Sequence, residues 1–197
     1  MIAIIKGCGA NIASIQYAIK RLNKKSVLTS NINTIKSASH VILPGVGTAH
    51  HAMSNLQKLR LIDVIRECKQ PVLGICLGMQ LLYNFSSEGN VACLKLFSEK
   101  ITKLPSFSGL SIPHMGWNKL KINKKSYLFN GIENNSYVYF VHSFVAPITN
   151  QTIAQSQHGI PFCAASSYKN FYGVQFHPEK SGKIGEKILK NFLEIQP

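Results

Sequence analysis

The chain has 197 residues, 45% of them hydrophobic, enough for one domain with a substantial core; disorder and a small disulfide-held scaffold are excluded. Its 22 basic and 8 acidic residues leave a formal charge of +14, but beyond the pairs Lys24-Lys25 and Lys124-Lys125 the cations are scattered. That spread favours a solvated basic surface over nucleic-acid recognition, which clusters its cations against phosphates.

No uncharged apolar run reaches the roughly 20 residues of a membrane helix, and the N-terminus lacks the basic start and apolar length of a signal peptide. A cytoplasmic protein with reduced thiols is expected. The five cysteines, Cys8, Cys68, Cys76, Cys93 and Cys163, form no C-x-x-C pair, and no histidine cluster has ligand spacing. Neither a metal nor a cofactor is therefore expected.

In chain order, Ala3-Ile4-Ile5 reads as a buried strand turned by Gly7 and Gly9. A helix follows through Ile12, Ile15, Ile19 and Leu22. Strands are expected over 26–29 and 40–43, the second stopped by Pro44-Gly45. A helical pattern over about 48–68 puts Met53, Leu56, Leu59 and Ile62 on one face. Then come a strand over 71–75 and a helix over 78–85. Residues 90–131 are less regular. Closely spaced, partly antiparallel strands are expected over 136–145, 152–155, 162–165 and 172–176. A last amphipathic helix carries Ile184, Ile188, Leu189, Phe192 and Leu193. This alternation implies an α/β fold: an open, mixed, mainly parallel sheet flanked by helices, in a single domain over 1–197.

The sharpest local signal is Gly74-Ile75-Cys76-Leu77-Gly78, where a strand meets a helix. Flanking glycines let a nucleophile occupy a sharp turn, and the opening of a helix favours thiolate over thiol. Leu77 N–H can help bind an oxyanion there. A thiol nucleophile needs a base with an orienting partner. Among seven histidines, His177 ends an apolar strand and precedes Pro178-Glu179. Proline keeps the preceding residue extended, so Glu179 lies on the same side as the imidazole and can fix its tautomer. Pro44-Gly45-Val46-Gly47, after another strand, can present backbone N–H groups to an oxyanion, although taken alone it is an ordinary turn. His50-His51 reads as helix surface.

These segments, with Pro113-His114-Met115-Gly116-Trp117-Asn118 and the run from Gly173-Val174-Gln175-Phe176-His177-Pro178-Glu179 to Lys180-Ser181-Gly182, resemble the triad-type (class I) glutamine amidotransferases, which have a flavodoxin-like fold. Within that family they resemble the glutaminase subunits of imidazole glycerol phosphate synthases. The resemblance runs nearly end to end. It implies that Cys76 attacks the glutamine amide, with His177 and Glu179 completing a triad and Val46, Gly47 and Leu77 around the oxyanion. Gln80, Glu88, Ser143 and Phe144 match positions that surround glutamine. His114, Trp117, Asn118 and Lys180 match an interface with a (β/α)8-barrel synthase subunit, the partner in a heterodimer that consumes the ammonia. The motif carrying His114, Trp117 and Asn118 also reads as a core-lining turn. A mobile loop over 45–47 would leave the oxyanion site unformed, and the isolated chain a poor glutaminase, until the partner is loaded.

The stretch 90–108 lacks the family's glycine-rich regularity, and Phe144 stands where tyrosine is expected, which removes a hydroxyl. Two alternatives remain at this stage. One is an amidotransferase subunit serving pyridoxal phosphate, anthranilate or purine synthesis. The other is a noncatalytic module whose basic surface recognises nucleic acid or an acidic protein.

Overall fold

A computed structural model describes residues 1–9 and 12–196. Its first part alternates strand and helix: β1 (Ile2–Ile5), α1 (Ile12–Arg21), β2 (Ser26–Thr29), α2 (Ile32–Lys36), β3 (His40–Leu43), α3 (Ala49–Lys58), α4 (Ile62–Arg66), β4 (Val72–Ile75) and α5 (Leu77–Leu81). Strands then dominate: β5 (Phe85–Ser86), β6 (Val91–Ala92), β7 (Lys100–Lys103), β8 (His114–Ile122), β9 (Ser136–His142), β10 (Phe144–Val145), β11 (Thr152–His158), β12 (Ile160–Tyr168) and β13 (Phe171–Val174). Helix α6 (Gly182–Leu193) closes the fold.

Nine strands form one sheet in the order β2-β1-β3-β4-β13-β12-β11-β8-β9. It is parallel from β2 to β13 and antiparallel from β13 to β9. Strands β1, β3 and β4 are buried along their whole length, which is why they read as unbroken apolar runs. Their side chains alternate between two cores. Ala3, Ile5, Val41, Leu43 and Val72 pack with α2 to α5, whereas Ile2, Ile4, Ile42, Leu73 and Ile75 pack with α1 and α6. A smaller sheet, β10-β7-β5-β6, lies beyond α5 in the chain. The chain passes from the large sheet to the small one at Ser143, between β9 and β10.

Four expectations need correction. The helix over 48–68 is two helices. Arg60 turns to φ 55°, and Leu61 N–H bonds back to Leu56 O at 2.9 Å, closing α3 without a glycine. The helix over 78–85 ends at Leu81, because the carbonyls of Leu81, Leu82 and Tyr83 accept the N–H groups of Leu94, Leu96 and Lys95. The irregular stretch 90–131 contains β6, β7 and β8, and the motif read as a core-lining turn is the first half of β8. Helix α2 occupies what reads as polar punctuation, capped by Asn31, whose side chain accepts from Thr34 N at 3.0 Å. Among the described residues no helix is long and apolar enough to cross a membrane.

Candidate active site

The parallel strands β4 and β13 are adjacent and paired Gly74 to Gly173 and Ile75 to Val174. Cys76 follows directly on β4, its N–H bonded to Val174 O at 2.8 Å. It takes φ 53° and ψ −113°, a strained conformation for a side chain-bearing residue, and at that turn Cys76 is buried but lines a cavity. Glycines make the turn possible. A Cβ on Gly78 would lie 1.8 Å from Leu43 O, one on Gly74 2.6 Å from Gly78 O, and one on Gly45 2.7 Å from Gly78 N. The 45–47 loop and the first turn of α5 can therefore touch only as bare backbone.

His177 stands three residues beyond β13. Its N–H is held by Tyr139 O at 2.9 Å, and Ser181 fastens the turn Pro178–Lys180 to β9. The Ser181 hydroxyl donates to His177 O at 2.7 Å and accepts from Tyr139 N at 2.9 Å. His177 Nδ1 meets Glu179 Oε1 at 2.8 Å, with the two side chains only 6% and 2% exposed. It is the only histidine–carboxylate pair among the described residues. The carboxylate fixes the proton on Nδ1 and leaves Nε2 to the reaction.

Burial alone would lower the His177 pKa, but hydrogen bonding toward Cys76 and Glu179, with the negative charge on both, outweighs it and raises the value to about 10. The Glu179 bond is formed, whereas Nε2 has no hydrogen-bond partner among the described residues, so the carboxylate contact carries the upward shift. Burial pushes the other thiols up, Cys8 and Cys93 to about 12 and Cys68 to about 11.

A cavity of about 250 Å³ is lined by Val46, Gly47, Cys76, Leu77, Gln80, Glu88, Ser143, Phe144, His177 and Lys180, residues from five separate stretches of chain. Hollows of about 670 and 770 Å³ open elsewhere, but neither contains a histidine–carboxylate contact. Cysteine and imidazole meet at the smaller one, with the Glu179 carboxylate bonded behind the imidazole.

A family model for class-I glutamine amidotransferases matches residues 5–195. The chain belongs to that family. This amidotransferase is 53% identical to a protein of Mannheimia succiniciproducens named imidazole glycerol phosphate synthase subunit HisH, over 98% of this chain and 99% of that one. It is 51% identical to the Haemophilus influenzae protein of the same name, over 97% and 95%. A crystal structure titled glutamine amidotransferase superposes with a TM-score of 0.75 at 14% identity, covering 98% of this chain and 97% of the other, which shows a shared fold.

Within this amidotransferase the remaining expected residues divide. Val46 N–H donates to Cys8 O at 3.1 Å and Gly9 O at 3.2 Å, so it is turned away from an oxyanion at Cys76. Leu77 N–H makes no hydrogen bond among the described residues. Glu88 lines the cavity but also accepts from Ala49 N at 2.9 Å, capping the helix that follows the loop. Gln80 spends its amide N–H groups on Phe144 O and Gln175 Oε1, both at 2.9 Å.

The interface residues are separated by the pleat of β8. Trp117 is 56% exposed beside Met115, and Lys180 is exposed with its ammonium 5.9 Å from the Tyr139 ring centroid. His114 points the opposite way and is buried, its Nδ1 3.0 Å from His142 Nε2. Asn118 shares that inner side and bonds to His114 Nε2 and Gln157 O at 3.2 and 2.8 Å. Of the four residues matched to an interface, Trp117 and Lys180 are exposed, Asn118 is half-buried and His114 is buried. His50 and His51 lie exposed on α3, as expected, and no metal-ligand group of three occurs among the described residues. One residue the sequence reading passed over is Gln175, wholly buried with Nε2 3.7 Å from Cys76 Sγ. A single polar residue between Val174 and Phe176 is the signal that could have marked it.

Proposed function

We propose that this chain is the glutaminase subunit of an imidazole glycerol phosphate synthase of histidine biosynthesis. It is a single, cytoplasmic amidotransferase domain over 1–197 that hydrolyses glutamine to glutamate and ammonia. The observation that carries the chemistry is that sulfur and imidazole from the ends of two adjacent parallel strands line one cavity, with the Glu179 carboxylate bonded behind the imidazole. Near end-to-end kinship to proteins named HisH selects this reading over other amidotransferases and over a noncatalytic module.

In this reading Cys76 gives its thiol proton to His177 Nε2 as Sγ attacks the side-chain amide carbon, and charge develops on the amide oxygen beside Leu77 N–H. His177 gives its proton to departing ammonia, leaving a thioester. It then takes a proton from water as that water attacks the thioester carbon, with Glu179 stabilising the imidazolium each time. Val46 N–H must leave the carbonyls of Cys8 and Gly9 to join the oxyanion site, so the resting chain turns over slowly until a partner shifts the loop. That partner is a (β/α)8-barrel synthase subunit in a heterodimer. It contacts the exposed side of β8 with Trp117 and the edge with Lys180, which borders the cavity.

The test is Cys76→Ala. Glutamine hydrolysis should vanish while the assembled synthase still works with added ammonium. Undiminished glutaminase in this variant would eliminate Cys76 as the nucleophile. Coupling with candidate synthase subunits of other pathways should fail.

A further inference from the structure

We propose that the buried amide of Gln175 is a hydrogen-bond donor to the Cys76 sulfur and favours its thiolate form. The inference rests on the glutaminase reading and adds a residue to it. Gln175 has no exposed surface, and its Nε2 lies 3.7 Å from Sγ, within reach of a sulfur acceptor.

The orientation of that amide follows from its neighbours. The Phe144 carbonyl can only accept, and it is met by His142 Nδ1 at 3.0 Å and by Gln80 Nε2 at 2.9 Å. Gln80 must therefore present its NH2 group, which also reaches Gln175 Oε1 at 2.9 Å. With its oxygen committed there, Gln175 has only N–H to offer the sulfur. Reversing either amide would set N–H against N–H or oxygen against oxygen. His142 is fixed by the same carbonyl: protonated on Nδ1, its bare Nε2 accepts from His114 Nδ1 at 3.0 Å, and His114 Nε2 accepts from Asn118 at 3.2 Å. Two donor chains thus converge on Phe144 O, one from Asn118 through the two histidines and one from Gln80, whose other N–H orients Gln175 toward the nucleophile.

At the sulfur two neighbours compete. Val141 O, 3.6 Å away, can only accept and so suits the thiol. Gln175 N–H can only donate and strengthens once sulfur carries charge. When the thiol proton passes to His177 Nε2, the contact with Val141 is lost and that with Gln175 grows. Sulfur is anionic before its electron pair forms the bond to the amide carbon. It becomes so again when thioester hydrolysis breaks that bond and returns the pair to sulfur. Gln175 keeps both its protons throughout.

The experiment uses Gln175→Met, which approximates the volume without a donor, and Gln175→Glu, which keeps an oxygen for Gln80 but turns an acceptor toward sulfur. Thiolate absorbance is followed against pH on the full chain, with Cys76→Ala subtracted to remove the other thiols. The methionine variant should raise the Cys76 titration midpoint by roughly one to two pH units, the worth of a charge-assisted hydrogen bond. In the complex with the synthase subunit, kcat should fall about 10- to 100-fold with KM nearly unchanged. The glutamate variant should raise the midpoint at least as far, and it decides the matter if the methionine variant does not fold. An unchanged midpoint in a folded variant overturns the proposal, even if kcat falls, because packing alone would then explain the loss. Should Cys76→Ala hydrolyse glutamine, the glutaminase reading fails, while the titration of the Gln175 variants still reports on the bond to sulfur.

Discussion

Gly78→Ala is the most demanding test of how the site is built. The new Cβ would sit 1.8 Å from Leu43 O and 2.7 Å from Leu43 C, against an ordinary carbon–oxygen contact of about 3.3 Å or more. Both atoms are backbone at the end of β3, so no side chain can swing aside. The first turn of α5 must back away by about 1.5 Å to restore ordinary contact. Overpacking of this severity costs about 3 kcal/mol, the upper end of the usual range. For a chain of this length that lowers Tm by roughly 6–12 °C. The same displacement carries Cys76 and Leu77 N–H away from the 45–47 loop, and an error of about 1 Å in a reacting geometry costs about 100-fold in rate. Calorimetric unfolding and glutaminase turnover in the assembled synthase measure the two effects. A variant with Tm within about 2 °C of wild type and unaltered kcat would refute the reasoning, since bare-backbone contact would then set neither fold nor site. Gly45→Ala opens the same seam from the other side, 2.7 Å from Gly78 N, so the double variant should lose less than the sum of its parts.

Glu179→Gln should cut kcat by about 100- to 10,000-fold with little change in KM, because the imidazolium loses its charged partner. His177 titrates near 10 in the fold and near 6.5 unfolded, so its stabilisation is complete below about pH 6.5 and lost as pH rises through 10. Denaturation midpoints of Glu179→Gln should accordingly depend less on alkaline pH than those of wild type. Burial, with neighbouring histidines adding to it, lowers His114 to about 4 and His142 to about 3. Unfolded histidines bind protons that the folded pair refuses, so this stabilisation is present above about pH 6.5 and lost as pH falls through 4 and then 3. A urea midpoint unchanged between pH 7 and pH 4 would contradict that ordering. Trp117→Ala should weaken synthase-subunit binding by about 30-fold, as for a central aromatic contact, and leave the Tm of the isolated chain unaltered. Equal binding by calorimetry would remove Trp117 from the interface.

The parallel half of the fold was legible because β1, β3 and β4 are covered on both faces and so are written as plain apolar runs. Strand β8 was not, because its inner side carries His114, Gly116 and Asn118, and the expected apolar alternation disappears. His114 and Asn118 are tolerated there because they bond to one another, to His142 on β9 and to the carbonyl of Gln157. The end of α5 was hidden for another reason: Leu82 and Tyr83 continue a helical pattern, and only bonds to residues 94–97 draw the chain off it. Cys76, His177 and Glu179 stand out in the sequence because flanking glycines permit a sharp turn at Cys76 and Pro178 keeps His177 extended. The resting turn of Val46 depends on carbonyls at Cys8 and Gly9, far along the chain, and no local pattern records it.

The in-register pairing of β4 with β13 has a consequence for how such a chain can change. Nearly a hundred residues separate the two strands in sequence, yet neighbouring rungs of a ladder set the span between sulfur and imidazole. Length or sequence can therefore drift wherever the intervening excursion touches neither strand end, without altering the gap between sulfur and imidazole. A slip of one rung, by contrast, would turn every side chain on one strand over and take the histidine from the sulfur. Diversity in this architecture is thus free to gather in those remote parts of the excursion while the sulfur and imidazole stay anchored to two adjoining strand ends.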